Sequence, residues 1–207
     1  MPQEYVPGVK GVNQPKTQLG LTKMNALVDA AEKLFAQTSF FEVSVSDICK
    51  EARTAVGTFY IYFESKTDIY RYLVERYKRQ IKRSLTVSIA NCTTRFEREK
   101  EGIKSFVRFA QANPTLYNII WGSLAVEKQM FVDYYVSFGE SYARALAGDR
   151  EELRVEDVDT LAYLLMGASS FLGLQAHFHE MDDAQIDAAI EHTVMPILKH
   201  GAFKVKE

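Results

Sequence analysis

Cysteine, proline and tryptophan are scarce in this 207-residue chain, and the first two scarcities each exclude something. Two cysteines, Cys49 and Cys92, cannot build a disulfide framework, so a reducing cytoplasm is the expected home. The five prolines fall at 2, 7, 15, 114 and 196, which leaves 16–113 and 115–195 without one. Proline-free stretches with apolar residues every three or four positions favour helices, and no alternating run is long enough for a strand. No unbroken apolar run reaches the ~18 residues of a membrane span. The opening MPQEYVPGVKGVNQPKTQLG has no apolar h-region, so no secretory leader is expected. Walker-type loops, Gly-x-Ser-x-Gly and Glu-x-x-His are all missing. His177 and His179 are two apart and lie on different faces of a helix. No catalytic residue, metal or cofactor is therefore expected.

Charge is distributed unevenly. Residues 1–83 hold 13 Lys+Arg against 9 Asp+Glu, and residues 84–207 hold 12 against 18, which gives +4 and −6 and together the net −2. A basic first part on an acidic remainder suits a polyanion-binding module joined to something that does not touch the polyanion.

The spacing predicts an all-α chain of about nine helices. Helix 1 covers about 22–37, with Met24, Leu27, Val28, Ala31, Leu34 and Phe35 as its apolar stripe. Ser44 is a good N-cap for a helix over about 45–52, with Asp47 as its reciprocal partner. A turn at 53–55 leads to a third helix at about 56–62, and Ser65 opens a fourth that runs to about 90. Further helices are expected at about 95–113, 115–123, 126–147, 156–179 and 183–200. The first 20 residues, rich in Pro, Gly and Gln, read as a flexible arm. Its Lys10 and Lys16, with Lys23 beyond, could reach a minor groove or could belong to a plain tail.

Residues 44–70, SVSDICKEARTAVGTFYIYFESKTDIY, carry the most information. Two short helices, a tight turn and an aromatic run form the pattern of a helix-turn-helix, whose second helix enters the major groove. Gly57 lets a backbone come close to a phosphate or base edge. Thr58 can hydrogen-bond a base or touch a thymine methyl. Tyr60 and Tyr62 combine apolar bodies with hydroxyls that can reach phosphates. Phe59 and Phe63 read as core.

The segment GTFYIYFESK at 57–66 resembles the most distinctive stretch of the tetracycline-repressor (TetR/AcrR) family of bacterial transcription regulators. The strong likeness covers about 22–75; beyond 90 it lies only in helix count and layout. The resemblance implies a DNA-binding head at 21–70 and an effector-binding and dimerisation domain at 71–207. It implies that Ser44, Thr58, Tyr60, Tyr62 and Lys66 contact DNA, with Ala55 and Val56 facing the groove beside Gly57. Two departures stand out. Arg53 occupies a place where that family usually has glycine, and a left-handed residue there costs a non-glycine roughly 1 kcal/mol; a phosphate contact by Arg53 would explain it. Ala55 and Val56 replace a frequent serine and basic residue, which offers apolar contact to the bases.

For the remainder, the aromatic set Phe106, Phe109, Tyr117, Trp121, Phe131, Tyr134 and Phe138, with Met166, Phe171 and Gln175, is the candidate lining of a pocket for an apolar or aromatic effector, ordinary core packing being the other reading. Leu161, Leu165, Ala168, Leu172, Ile186, Ile190 and Ile197 are the candidate dimer interface. The function implied is a ligand-responsive regulator, a repressor in the first instance. It would bind a near-palindromic duplex operator as a homodimer and be released by a small molecule. A constitutive DNA-binding or adaptor protein, and an all-helical enzyme, remain as alternatives at this point.

Overall fold

The structure, a computed structural model, describes residues 5–204. Among them the chain is all-α, with two isolated β-bridges and no strand. Its helices are α1 (Gln18–Gln37), α2 (Val45–Glu51), α3 (Val56–Tyr62), α4 (Lys66–Ser88), α5 (Arg95–Ala112), α6 (Leu116–Val126), α7 (Lys128–Gly148), α8 (Val158–Phe178), α9 (Asp183–Ala189) and α10 (Met195–Gly201). A π-helical turn at Ile190–Val194 joins α9 to α10, so the single closing helix expected at 183–200 is one rod with a widened turn. Pro196, with no N–H to give, follows at the start of α10, where the regular ladder is already interrupted.

The caps explain where the helices start. Capping boxes open α2 at Ser44, α5 at Thr94 and α9 at Asp182. Helix α1 begins four residues before the expected Thr22 because Thr17 Oγ1 accepts the Gly20 N–H at 3.0 Å.

The chain divides into two compact units. One runs up to Arg79 and adds Thr115–Tyr134; the other holds Gln80–Pro114 and the stretch from Tyr135 onward. The first unit buries Met24, Leu27, Val28, Ala31 and Phe35 of α1 with Ile48, Phe59, Phe63, Ile69 and Leu73. Burial of each large side chain contributes about 1.5–3 kcal/mol. Polar ties then fix α6 on this core. Arg76 pairs with Asp29 at 3.0 Å and with Glu32, and Tyr77 shares Glu32 with Thr115. Tyr70 donates to the Ile119 carbonyl at 2.9 Å. A Cβ on Gly122 would lie 2.6 Å from the Tyr70 hydroxyl, so only glycine fits where α6 meets α4.

The arm expected to be flexible is packed from residue 5 onward, and residues 1–4 lie outside the described residues. Val6 and Val9 are buried, and the Val6 N–H donates to the Tyr72 hydroxyl at 3.0 Å. Asn13 donates through its backbone N–H to the Tyr62 carbonyl and through Nδ2 to that of Ile61, at 2.8 and 3.0 Å. The strap thereby occupies the backbone acceptors at the end of α3, which would otherwise be unsatisfied.

The second unit has two apolar clusters. One gathers Leu146, Leu153, Leu161, Leu165 and Phe203; the other gathers Ile103, Val107, Ala176, Ile186, Ile190 and Met195.

Candidate nucleic-acid interface

Helix α2 starts at Ser44, whose Oγ accepts the Asp47 N–H at 3.1 Å while Asp47 Oδ2 accepts the Ser44 N–H at 2.9 Å. The Ser44 hydroxyl, which also donates to Asp47 Oδ2 at 2.5 Å, and then the Ser44 N–H hold the Asp47 carboxyl below the usual carboxylate range. The helix ends in a Schellman motif. The Arg53 N–H reaches the Lys50 carbonyl at 3.2 Å and the Thr54 N–H reaches that of Cys49 at 2.9 Å. Arg53 takes the left-handed conformation this requires, at φ 52°, and its side chain is exposed. The turn is thus the ordinary helix-turn-helix one with an arginine in the glycine place, at roughly 1 kcal/mol.

Helix α3 splits into two faces. Phe59 and Phe63 are fully buried, with ring centroids 5.5 Å apart, and Phe63 lies 5.9 Å from Tyr72 in an edge-on contact. On the opposite face Val56, Gly57, Tyr60 and Ile61 are exposed, Tyr60 by 54%. Their spacing of one, three and one puts them side by side on a 3.6-residue helix. Ala55, the N-cap, is exposed, and Thr58 is half-buried at the edge. A Cβ on Gly57 would meet nothing within 4 Å. Packing among the described residues therefore does not demand glycine there.

Two residues expected on this surface are elsewhere. Tyr62 is buried, and its hydroxyl lies 3.2 Å from where a Cβ on Gly20 would be, so it points back at α1. Position 62 falls on the Phe59 side of α3, a point set by the helix period that the aromatic run alone conceals. Lys66 donates to the carbonyls of Phe40 and Val43 at 2.7 and 2.6 Å and sits 4.2 Å from the Phe40 ring centroid. Burial lowers its pKa. The ammonium ties the α1–α2 loop to α4. Ile61, in turn, is an exposed member of the α3 face that the sequence reading overlooked, because isoleucine in an aromatic run reads as core.

A prediction follows for Lys66. Replacing it by methionine should cost about 1.5–3 kcal/mol through the lost charged hydrogen bonds, seen as a lower Tm. The salt dependence of DNA binding should keep its slope, whereas Arg53→Ala should reduce that slope by about one. Anisotropy titrations across a salt series read both.

The other candidates separate as well. Tyr117 and Trp121, edge to face at 5.3 Å, line a groove of about 450 Å³ in the first unit with Phe35, Asn118 and Gly122. Tyr134 is buried and Phe131 half-buried in that same unit. Phe106, Phe109, Phe138 and Met166 are half-buried in the second unit. Phe171 and Gln175 are exposed on α8 and so line no interior of that unit. Of the interface candidates, Leu161, Leu165, Ile186 and Ile190 belong to the core of the second unit, and Leu172 packs against it. Only Ala168 and Ile197 are exposed. The exposed residues of α8 include Leu164, Ala168, Phe171, Gln175 and Phe178, whose alternating spacing of four and three is that of a heptad seam. A helix apolar on nearly all sides hides which side faces out, so the sequence reading took the inner stripe.

Among the described residues no cluster of His, Cys, Asp and Glu could hold a metal ion, and no helix is long and apolar enough to cross a membrane.

Comparison with known proteins agrees with this geometry. Residues 27–73 match the family model described as bacterial regulatory proteins, tetR family. An uncharacterized HTH-type transcriptional regulator of Mycobacterium tuberculosis is 29% identical over 109 residues, 53% of this chain and 52% of that protein. The uncharacterized HTH-type transcriptional regulator YwcC of Bacillus subtilis is 34% identical over 80 residues, 39% of this chain and 33% of that protein. The chain thus matches about half the length, or less, of these curated relatives. Among solved structures, the fatty acid degradation regulator FadR from Bacillus halodurans superposes with a TM-score of 0.72 at 18% identity, covering 85% of this chain and 94% of that one. A TetR family transcriptional regulator from Chloroflexus aurantiacus gives 0.67 at 22% identity, covering 91% and 99%. These two likenesses are of fold.

Proposed function

We propose that this chain, whose residues 27–73 belong to the tetR family of bacterial regulatory proteins, is a ligand-responsive transcription regulator that reads a duplex operator as a homodimer. One observation carries the reading. The α3 face of Val56, Gly57, Tyr60 and Ile61 stands exposed on an aromatic core that holds the helix in place, and none of the described residues covers it. A rigid helix with an open glycine near its N-terminus can lie close to base edges. Tyr60 offers a hydroxyl for the backbone, Ser44 and Arg53 flank it at the ends of α2, and Thr58 contributes from the edge. Tyr62 and Lys66 act behind this surface, as props of α3 and of the α1–α2 loop. No catalytic role is assigned.

The dimer forms through the exposed α8 seam with Ile197 alongside. Leu164, Phe171 and Phe178 are 66, 67 and 72% exposed, an apolar stripe that a lone protomer leaves in water. Phe171→Glu should therefore give a folded monomer by light scattering, with an unchanged circular-dichroism spectrum. Its operator affinity should fall by at least tenfold, because only one half-site is engaged at a time. A Phe171→Glu protein that remains dimeric would place the interface elsewhere.

Effector control requires a ligand that favours the state unable to bind DNA, and the shift cannot exceed its differential affinity for the two states. Full-length protein on a labelled operator, titrated with small apolar and aromatic compounds and with acyl chains, tests this. Acyl chains are included because one fold neighbour is a fatty acid degradation regulator. Release by one class supports the reading; constant affinity across the panel supports a constitutive binder instead.

A further inference from the structure

The α3 surface has an unusual chemistry for a reader of bases. Between Ala55 and Ile61 the chain is AVGTFYI, without Arg, Lys, Asn, Gln, Asp or Glu. Guanine is read best by a bidentate Arg or Lys and adenine by a bidentate Asn or Gln, while cytosine is read by an acidic side chain. Helix α3 supplies none of these. The exposed side chains of α3 and its N-cap are the methyl of Ala55, the isopropyl group of Val56, the Tyr60 ring and the Ile61 side chain, and the hydroxyls outside the core are those of Thr58 and Tyr60, Tyr62 being buried.

Several neighbouring polar side chains are engaged elsewhere, while Lys50, at the end of α2, is exposed but lies outside α3. Lys66 is committed to the Phe40 and Val43 carbonyls. Lys33 pairs with Glu51 at 2.5 Å, and Asn13 is spent on the Ile61 and Tyr62 carbonyls. Arg53 precedes α3 at the turn, where it suits a phosphate. One feature of the major groove remains that an apolar side chain can recognise, the C5-methyl of thymine.

Resting on the DNA-binding reading above, we infer that Ala55 and Val56, with Tyr60 beside them, are specificity-determining residues that read thymine methyl groups. The operator half-site accordingly carries thymines under the N-terminus of α3, and discrimination there is apolar burial with no hydrogen-bond pairing to guanine. Val56 is the central reader. It is the first residue of α3, it is exposed, and it lies on the same side as Gly57, whose missing side chain lets the helix approach. Removing one buried methyl contact weakens binding roughly three- to fourfold.

The experiment replaces thymine by deoxyuridine, which deletes the methyl and keeps every hydrogen-bonding group. Duplexes enriched by the full-length protein from a random pool are resynthesised with deoxyuridine at one thymine at a time, and each Kd is measured in one buffer. At one or two thymines per half-site the loss should be roughly three- to fourfold, or about tenfold when both are changed. Val56→Ala should weaken binding to the thymine duplex and shrink the thymine–deoxyuridine difference at its own position. The exposed site keeps this variant folded, and a thermal melt checks it. Equal affinity for thymine and deoxyuridine duplexes at every position, in a protein that still selects a sequence, overturns the inference and leaves the DNA-binding reading standing. Absence of any sequence preference overturns both.

Discussion

Replacing Gly57 by leucine leaves the protein folded and removes its specific DNA binding. A Cβ at this exposed position meets no atom of the described residues within 4 Å, so leucine should be accepted without repacking of the head. Gly57 is the second residue of α3, and glycine inside a helix is about 0.5–1 kcal/mol worse than a good helix former. The thermal midpoint should therefore stay constant or rise. The same four carbons project from the face carrying Val56 and Tyr60 and hold α3 off the groove floor. Binding should fall to the non-specific level, a loss of about a thousandfold or more. Anisotropy on the selected operator and a thermal melt on the same sample read both quantities. A stabilised protein with intact affinity would mean that this face does not enter the groove. A large drop in Tm would mean that Gly57 is packed in solution.

The second large effect is on stability and lies far along the chain from the reader. Arg95 and Glu99 are buried on α5, where Arg95 Nε donates to Glu99 Oε1 at 2.7 Å. The Tyr142 hydroxyl also bonds Glu99, and burial with that carboxylate pushes its pKa well up. Arg95→Met leaves a buried carboxylate without its counter-charge. Breaking such a pair costs about 3–5 kcal/mol. For a chain of this size, roughly 2–4 °C per kcal/mol gives a Tm lower by about 10 °C. Adding Glu99→Gln, which keeps an acceptor for Tyr142, should recover most of the loss at pH 7. A single variant as stable as the parent at neutral pH would contradict a buried, coupled pair.

Sequence periodicity located α2, α3, α5 and α8 to within about two residues, because their caps and apolar stripes are local signals. Ser44 and Asp47 announce a capping box by spacing alone. What stayed hidden were matters of facing. Tyr60 and Tyr62 differ by two positions, which on a helix is the difference between solvent and core. Leu164 and Leu165 differ by one, with the same outcome. Lys66 looked like a phosphate ligand because its nearest carbonyl partners, Phe40 and Val43, are more than 20 positions away. The packing of residues 5–13 was also invisible, since the Tyr72 hydroxyl that receives Val6 lies 66 positions further on. The family likeness suggested a DNA-facing surface; in the structure Tyr62 and Lys66 are turned inward from the exposed α3 face, and Ile61 lies on it.

The central claim is that the α3 face reads duplex DNA. Selection from a random duplex pool with the full-length protein, at about 100 mM salt, tests it directly. The account predicts enrichment of one sequence with two-fold symmetric half-sites, centred about 34–36 Å apart to match two recognition helices of a dimer. A pool that emerges with no enriched sequence, or a protein that binds all duplexes alike, would contradict it.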